Sequence, residues 1–117
     1  MKDTNPLGNI FIAHRAIATI AHQAALESYG VVGLAPKNLA EGIAFALVKE
    51  PMKGVEVELH PDGITIDLYI VVEYGTRITM VASSVADTVR YQVEKIIGLP
   101  VKSVNVHVRG LRISDTD

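Results

Sequence analysis

Between Val55 and Glu73 the chain alternates apolar and polar residues on both sides of a single turn, and few folds accept that pattern. Val55, Val57 and Leu59 alternate with Glu56, Glu58 and His60. After the turn, Ile64, Ile66, Leu68, Ile70 and Val72 alternate with Thr65, Asp67, Tyr69, Val71 and Glu73. Successive strand side chains point to opposite faces, so each run has one aliphatic face and one mainly polar face. His60-Pro61-Asp62-Gly63 supplies the turn, since proline presets its torsion and glycine tolerates a left-handed one. Two such runs pair as an antiparallel hairpin, and its aliphatic face requires a cover.

The residues that follow supply that cover. Ile78, Val81, Ala82, Val85, Val89, Val93 and Ile96 form one apolar helical stripe, ended by Gly98 and Pro100. Gly75-Thr76 closes the second strand, with Thr76 expected as the N-cap. Asp87–Arg90 and Arg90–Glu94 are spaced as intrahelical pairs on the wetter side. A last strand then places Val104, Val106 and Val108 on one face and Ser103, Asn105, His107 and Arg109 on the other. Its phase changes near Gly110, where Leu111 and Ile113 take the opposite parity, which signals a bulge or an exit from the sheet. A strand–helix–strand unit of this kind crosses over right-handedly and pairs its strands in parallel.

Upstream the signals are shorter. Ile10-Phe11-Ile12 reads as an opening strand, and His14 to Tyr29 as a helix with Ile17, Ile20, Ala21 and Ala24 inward, ended by Gly30. Val31-Val32-Gly33-Leu34 reads as a connector or edge strand. Asn38 and Glu41 make a capping-box pattern that predicts a helix from Leu39 to Lys49, stopped at Glu50-Pro51. The expected fold class is α+β: a two-layer single domain whose mixed β-sheet, an antiparallel hairpin plus a β-α-β crossover, carries helices on one face. The domain is expected over residues 8–113, with residues 1–7 and 114–117 as flexible termini.

Composition narrows the chemistry. The 117 residues contain no cysteine, which removes disulfides and thiolate chemistry and leaves the cytoplasm as the expected compartment. Eleven basic against thirteen acidic residues give a net charge of -2, which disfavours a nucleic-acid partner. Gly30-Val31-Val32-Gly33 matches a GXXG loop in form, but its central valines offer nothing to a phosphate. No apolar run approaches the ~20 residues of a membrane-spanning helix, and no signal peptide opens the chain. His14, His22, His60 and His107 lack metal-ligand spacing and read as exposed, polar-face residues, so neither a metal nor another cofactor is expected. Ser83-Ser84 lacks a nucleophile elbow. Glu56, Glu58, Asp67 and Glu73 would share the polar sheet face, where a solvated surface accounts for them more simply than acid–base catalysis.

Two candidate sites remain. Gly75, Thr76 and Arg77 stand where a strand turns into a helix, so helix amides and a guanidinium there form a candidate anion site. A simple turn explains the same residues. The second candidate is an interface on the open sheet face, with Glu56, Glu58, Tyr69, Val71, His107 and Arg109, continued by Leu111 and Ile113 after the phase change. Apolar side chains gathered on a nominally wet face mark a contact surface.

Three blocks carry a family resemblance: Gly30-Val31-Val32-Gly33-Leu34-Ala35, Tyr69-Ile70-Val71-Val72-Glu73-Tyr74-Gly75-Thr76, and Gly98-Leu99-Pro100-Val101 followed by residues 104–110. In this order and spacing the chain resembles the alkaline-shock-protein family, the Gls-type envelope stress response proteins, and most closely its short YloU-like branch. The resemblance implies a bacterial, largely Gram-positive and cytoplasmic protein without catalytic activity, linked to envelope stress and peripheral to the inner membrane through a partner. It implies assembly with copies of itself or with a protein partner, either a membrane-associated anchor or a fatty-acid-kinase-like protein. The kinase-like neighbour makes an accessory protein that binds a small anionic or acyl ligand the alternative. The family has no agreed functional residues to carry over.

Overall fold

A computed structural model describes residues 6–36 and 51–113. Helix α1 (Pro6–Leu26) leads into strand β1 (Val31–Leu34), and a single turn of helix, α2 (Pro51–Gly54), leads into the hairpin of β2 (Val55–His60) and β3 (Gly63–Glu73). Helix α3 (Ile78–Ile97) and strand β4 (Val101–Arg112) complete the order. The expected helix from Leu39 to Lys49 lies outside the described residues.

β3 organises the sheet. β4 pairs with it in parallel from Ile64↔Val101 to Glu73↔Arg112, along one whole edge. The other edge is shared end to end, with β2 antiparallel from Val55↔Leu68 to His60↔Gly63 and β1 antiparallel at Val31↔Val72 to Leu34↔Ile70. The sheet is therefore mixed, and the residues at 31–34 are a true strand.

The aliphatic parity faces the helices. Ile64, Ile66, Leu68, Ile70 and Val72 join Val55 and Val57 in one core cluster with Ile17, Ala18, Ala21, Ala24 and Ala25 of α1. Val81, Val85, Val89 and Val93 of α3 enter the same cluster, so both helices lie on one side of the sheet. Four alanines on α1 keep that helix slim where it meets the sheet and α3, and the i, i+4 valines of α3 supply the bulk. Burying one such valine contributes about 1.5–3 kcal/mol. The ends of the α3 stripe leave the core: Ile78 and Ile96 are exposed.

The N-terminal region departs from expectation. Ile10-Phe11-Ile12 is no strand, because one helix runs from Pro6 through Leu26. Proline is preorganised for the first helical position, and Ile10, Ile17 and Ala24 repeat at heptad spacing, so the helical period extends upstream of His14. Gly30 follows the helix at φ 87°, and a Cβ there would meet Val81 Cγ2 at 2.7 Å. Glycine is thus required twice over, by torsion and by the close approach of α3.

Polar groups fasten the other end. Gly98 takes a left-handed C-cap, donating its N–H to Glu94 O at 3.0 Å. Arg90 and Glu94, expected as a pair along the helix, instead bind the chain beyond it. Arg90 Nη1 donates to Val101 O at 2.6 Å, and Val101 N–H donates to Glu94 Oε2 at 2.8 Å. Each side chain satisfies a backbone group of the entering strand, which locks the α3–β4 turn. The phase change near Gly110 is a bulge: Ile70 faces Val108 but Val71 faces Gly110, which leaves Arg109 as the extra residue.

Candidate functional site

The face of the sheet opposite α1 and α3 holds one connected cluster among the described residues. Strand register sets Glu56 on β2 opposite Asp67 on β3, and Tyr69 on β3 opposite His107 on β4. The Tyr69 and His107 rings stack with centroids 4.7 Å apart and planes 11° from parallel. The Tyr69 hydroxyl donates to Glu56 Oε1 at 3.3 Å, and His107 Nε2 lies 3.0 Å from Asp67 Oδ1. Arg109, turned by the bulge, places its guanidinium carbon 5.1 Å from the centroid of the Tyr69 ring. Tyr69 is thereby held by a ring, a carboxylate and a cation, with part of its surface still exposed. Partial burial, followed by the charges of Glu56 and Asp67, raises the Tyr69 hydroxyl above its usual pKa of 10.0.

A second feature lies at the start of α3. Tyr29, Gly75, Thr76, Arg77, Met80 and Val81 line an open cavity of about 310 Å³. The β1–β3 pairing brings Tyr29 there, since Gly30 O accepts the Glu73 N–H at 2.8 Å. Thr76 does not cap the helix as expected. Its hydroxyl donates to Glu73 O at 2.7 Å, and Arg77 is the N-cap residue, with no side-chain capping bond. The strand-to-helix turn is tight enough to place the Glu73 carbonyl within the hydroxyl's reach, and this local bond wins. Arg77 Nη1 lies 3.6 Å from Met80 Sδ.

The profile of the alkaline-shock-protein family, described as having a cell envelope-related function, matches residues 2–113. The chain belongs to that family. It is 44% identical over 110 residues to the uncharacterized protein YloU of Bacillus subtilis (strain 168), with 92% of each chain covered. It is 39% identical over 113 residues to the uncharacterized protein YqhY of the same organism, covering 95% of this chain and 82% of that one. Variants of the MamM CTD overlap at 16% identity with a TM-score of 0.49, covering 86% of this chain and 94% of theirs, a likeness too distant to bear on function.

This alkaline-shock-family chain gathers some expected site residues and separates others. Glu56, Tyr69, His107 and Arg109 form the cluster, joined by Asp67. Glu58 stands apart, 3.3 Å from His60 Nε2. Val71 is a correction, for it is only 5% exposed. Its neighbours on both flanking strands are glycines, Gly33 and Gly110, and a Cβ on Gly110 would lie 4.0 Å from Val71 Cγ2. Val71 therefore offers little surface for a contact. Leu111 and Ile113 are exposed as expected, but Leu111 falls opposite Val72, on the helix side of the sheet. His22 is a second correction. It is only 6% exposed, because it follows Ala21 into the helix–sheet interior instead of lying on the polar face.

Each of three face carboxylates has a named neighbour: Glu56 meets Tyr69, Asp67 meets His107 and Glu58 meets His60. Among the described residues no three His, Asp or Glu side chains are grouped to hold a metal ion. No helix among them is long and apolar enough to cross a membrane. The GXXG-like residues are committed to the β1 pairing with β3. Tyr29, Met80 and Val81 are the lining residues that the sequence reading did not assign to this site. No local signal marks Tyr29, because only the long-range β1–β3 pairing brings it beside Arg77.

Proposed function

We propose that this chain is a non-enzymatic, cytoplasmic interaction module, a single domain over residues 8–113, serving envelope stress or membrane-lipid homeostasis. It acts by presenting the sheet face opposite α1 and α3 to a protein partner at the membrane's inner side. The observation that carries this reading is the state of Tyr69: part-exposed, yet fixed by His107, Arg109 and Glu56. An aromatic side chain ordered in advance, with an arginine beside it, is the chemistry of interface hot spots, because little rotamer entropy remains to be lost on binding. The partner classes are a membrane-associated anchor and a fatty-acid-kinase-like protein.

The test is affinity purification of the tagged full chain from its native host, with wild type, Tyr69→Ala and Arg109→Ala compared at a temperature where all three are fully folded. Loss of the same membrane-associated or kinase-like partner from both variants supports the reading. Identical recovery by all three chains rules the face out.

The cavity beside Arg77 favours a second reading, an accessory protein for a small anionic or acyl ligand. An apolar wall of Tyr29, Met80 and Val81 next to one guanidinium suits a carboxylate or phosphate with a short apolar tail. Under it, octanoate or octyl phosphate raises Tm of the wild type, and the rise disappears in Arg77→Ala. No shift with either compound removes it.

A further inference from the structure

β4 is the longest strand, twelve residues, and only one of its edges is occupied among the described residues. An open edge presents unpaired N–H and C=O groups, and proteins ordinarily blunt such edges with outward charges, proline or bulges. β4 contains no proline. Three of its four ionisable side chains turn back across the sheet: Lys102 Nζ lies 3.3 Å from Asp62 Oδ2, His107 stacks on Tyr69 beside Asp67, and Arg109 covers Tyr69. The charges that would guard the edge are engaged on its inner side. Between the bulges, residues 103–108 pair with β3 without a break in register. On the helix side of that stretch, Val104, Val106 and Val108 pack against the core yet stay only partly buried.

From these observations we infer that β4 pairs antiparallel with β4 of a second copy, across a two-fold axis at Val106, joining the two sheets into one. The inference goes beyond the interaction-module reading above, adding a second copy of the chain at the sheet edge with a stated register. A two-fold axis perpendicular to the sheet keeps the helices of both copies on one side and sets residues of like parity opposite each other. With the axis at Val106, Val104 faces Val108 of the second copy and Val106 faces Val106. The half-covered valines then complete one another's burial. The same register places His107 opposite Asn105, Arg109 opposite Ser103 and Lys102 opposite Gly110, so no cation meets a cation. Moving the axis to His107 stacks histidine on histidine, and moving it to Asn105 sets Val108 against Lys102. Charge and burial therefore choose the same register.

The chain has no cysteine, so single-cysteine variants report cleanly. In this register Asn105 and its copy are diagonal neighbours, ~7–8 Å apart, on the face away from the helices. Asn105→Cys treated with a short bis-maleimide should give a covalent dimer, whereas Ser83→Cys on the exposed side of α3 should not. In the wild type, amide exchange over residues 103–109 should slow about tenfold between dilute and concentrated protein as the edge is covered. A chain that stays monomeric at high concentration overturns the inference, as does an edge already protected in dilute monomer. A dimer with unprotected 103–109 amides and no Asn105→Cys product overturns the edge pairing alone, leaving the module reading intact. Loss of the module reading would instead appear as partner recovery indifferent to Tyr69→Ala and Arg109→Ala.

Discussion

The two faces of the sheet are built by different rules. On the helix side, Ile64, Ile66, Leu68, Ile70 and Val72 are all at most 1% exposed and belong to one aliphatic cluster. On the open side, Asp67 and Tyr69 of the same strand depend on named polar or aromatic partners: Asp67 on His107, and Tyr69 on Glu56, His107 and Arg109. Aliphatic contacts carry no directional code, so the inner face specifies a fold and little else. The outer cluster instead fixes side chains at particular angles through directional contacts, which is the property the proposed contact surface draws on. One strand thus separates aliphatic packing from directional side-chain contacts by parity, with the buried Val71 as the exception.

Adjacent substitutions should expose that separation. Leu68→Ala empties a fully buried site and is expected to cost about 2–5 kcal/mol in urea unfolding. Tyr69→Ala, one residue along, removes a part-exposed ring and its cross-strand contacts and is expected to cost about 1 kcal/mol. Equal losses would mean that the outer cluster is part of the folding core.

The inner face was legible in the sequence and the outer one only in part, for the same reason. Period-two alternation in Val55–Leu59 and Ile64–Val72, and the i, i+4 valines of α3, are local patterns visible within a single element. Which residue types share the open face follows from the same parity. Their pairings do not: Tyr69 finds Glu56 and His107 only through the β2–β3 and β3–β4 registers. Arg90 and Glu94 show the limit from another side, because helix spacing suggests a pair where both side chains serve Val101 of the next strand. Ile10-Phe11-Ile12 misleads through brevity, since three β-prone residues cannot distinguish a period of two from one of 3.6. Tyr29 beside Arg77 was illegible because no local pattern encodes a contact made by strand pairing.

Alkaline titration sharpens the comparison, since the two faces respond differently to pH. The folded Tyr69 pKa is raised, first by partial burial and then by Glu56 and Asp67. Its neutral form is therefore favoured in the folded state, and the associated stability is complete below the unfolded value of about 10 and lost as pH climbs through the higher folded value. Of the four tyrosines, one should ionise late in the ultraviolet tyrosinate signal, and Tyr69→Phe should remove that late step along with its share of the alkaline loss of stability. An unchanged titration in Tyr69→Phe would break the assignment.

The smallest effect belongs where the hairpin turn meets β4. Lys102 donates to Asp62 at 3.3 Å, and this bond, more than any other influence, holds the Asp62 carboxyl below its usual 3.8. A depressed folded pKa gives stability that is present above the unfolded value and lost as pH falls through the folded one. Both side chains are exposed, so solvent screens the pair and the effect should fade with added salt. Lys102→Met should raise the Asp62 titration by NMR towards the ordinary carboxylate range, with the backbone hydrogen bond still holding it down, while leaving Tm at neutral pH nearly unchanged. It should also free the start of β4 from its tie to the turn. If the edge recruits a second copy, as its turned-back cations suggest, the variant should still dimerise, since Lys102 faces Gly110 in that register and contributes no contact there. Loss of the dimer with the Asp62 tie would instead show that this tie holds the start of β4 in position for pairing.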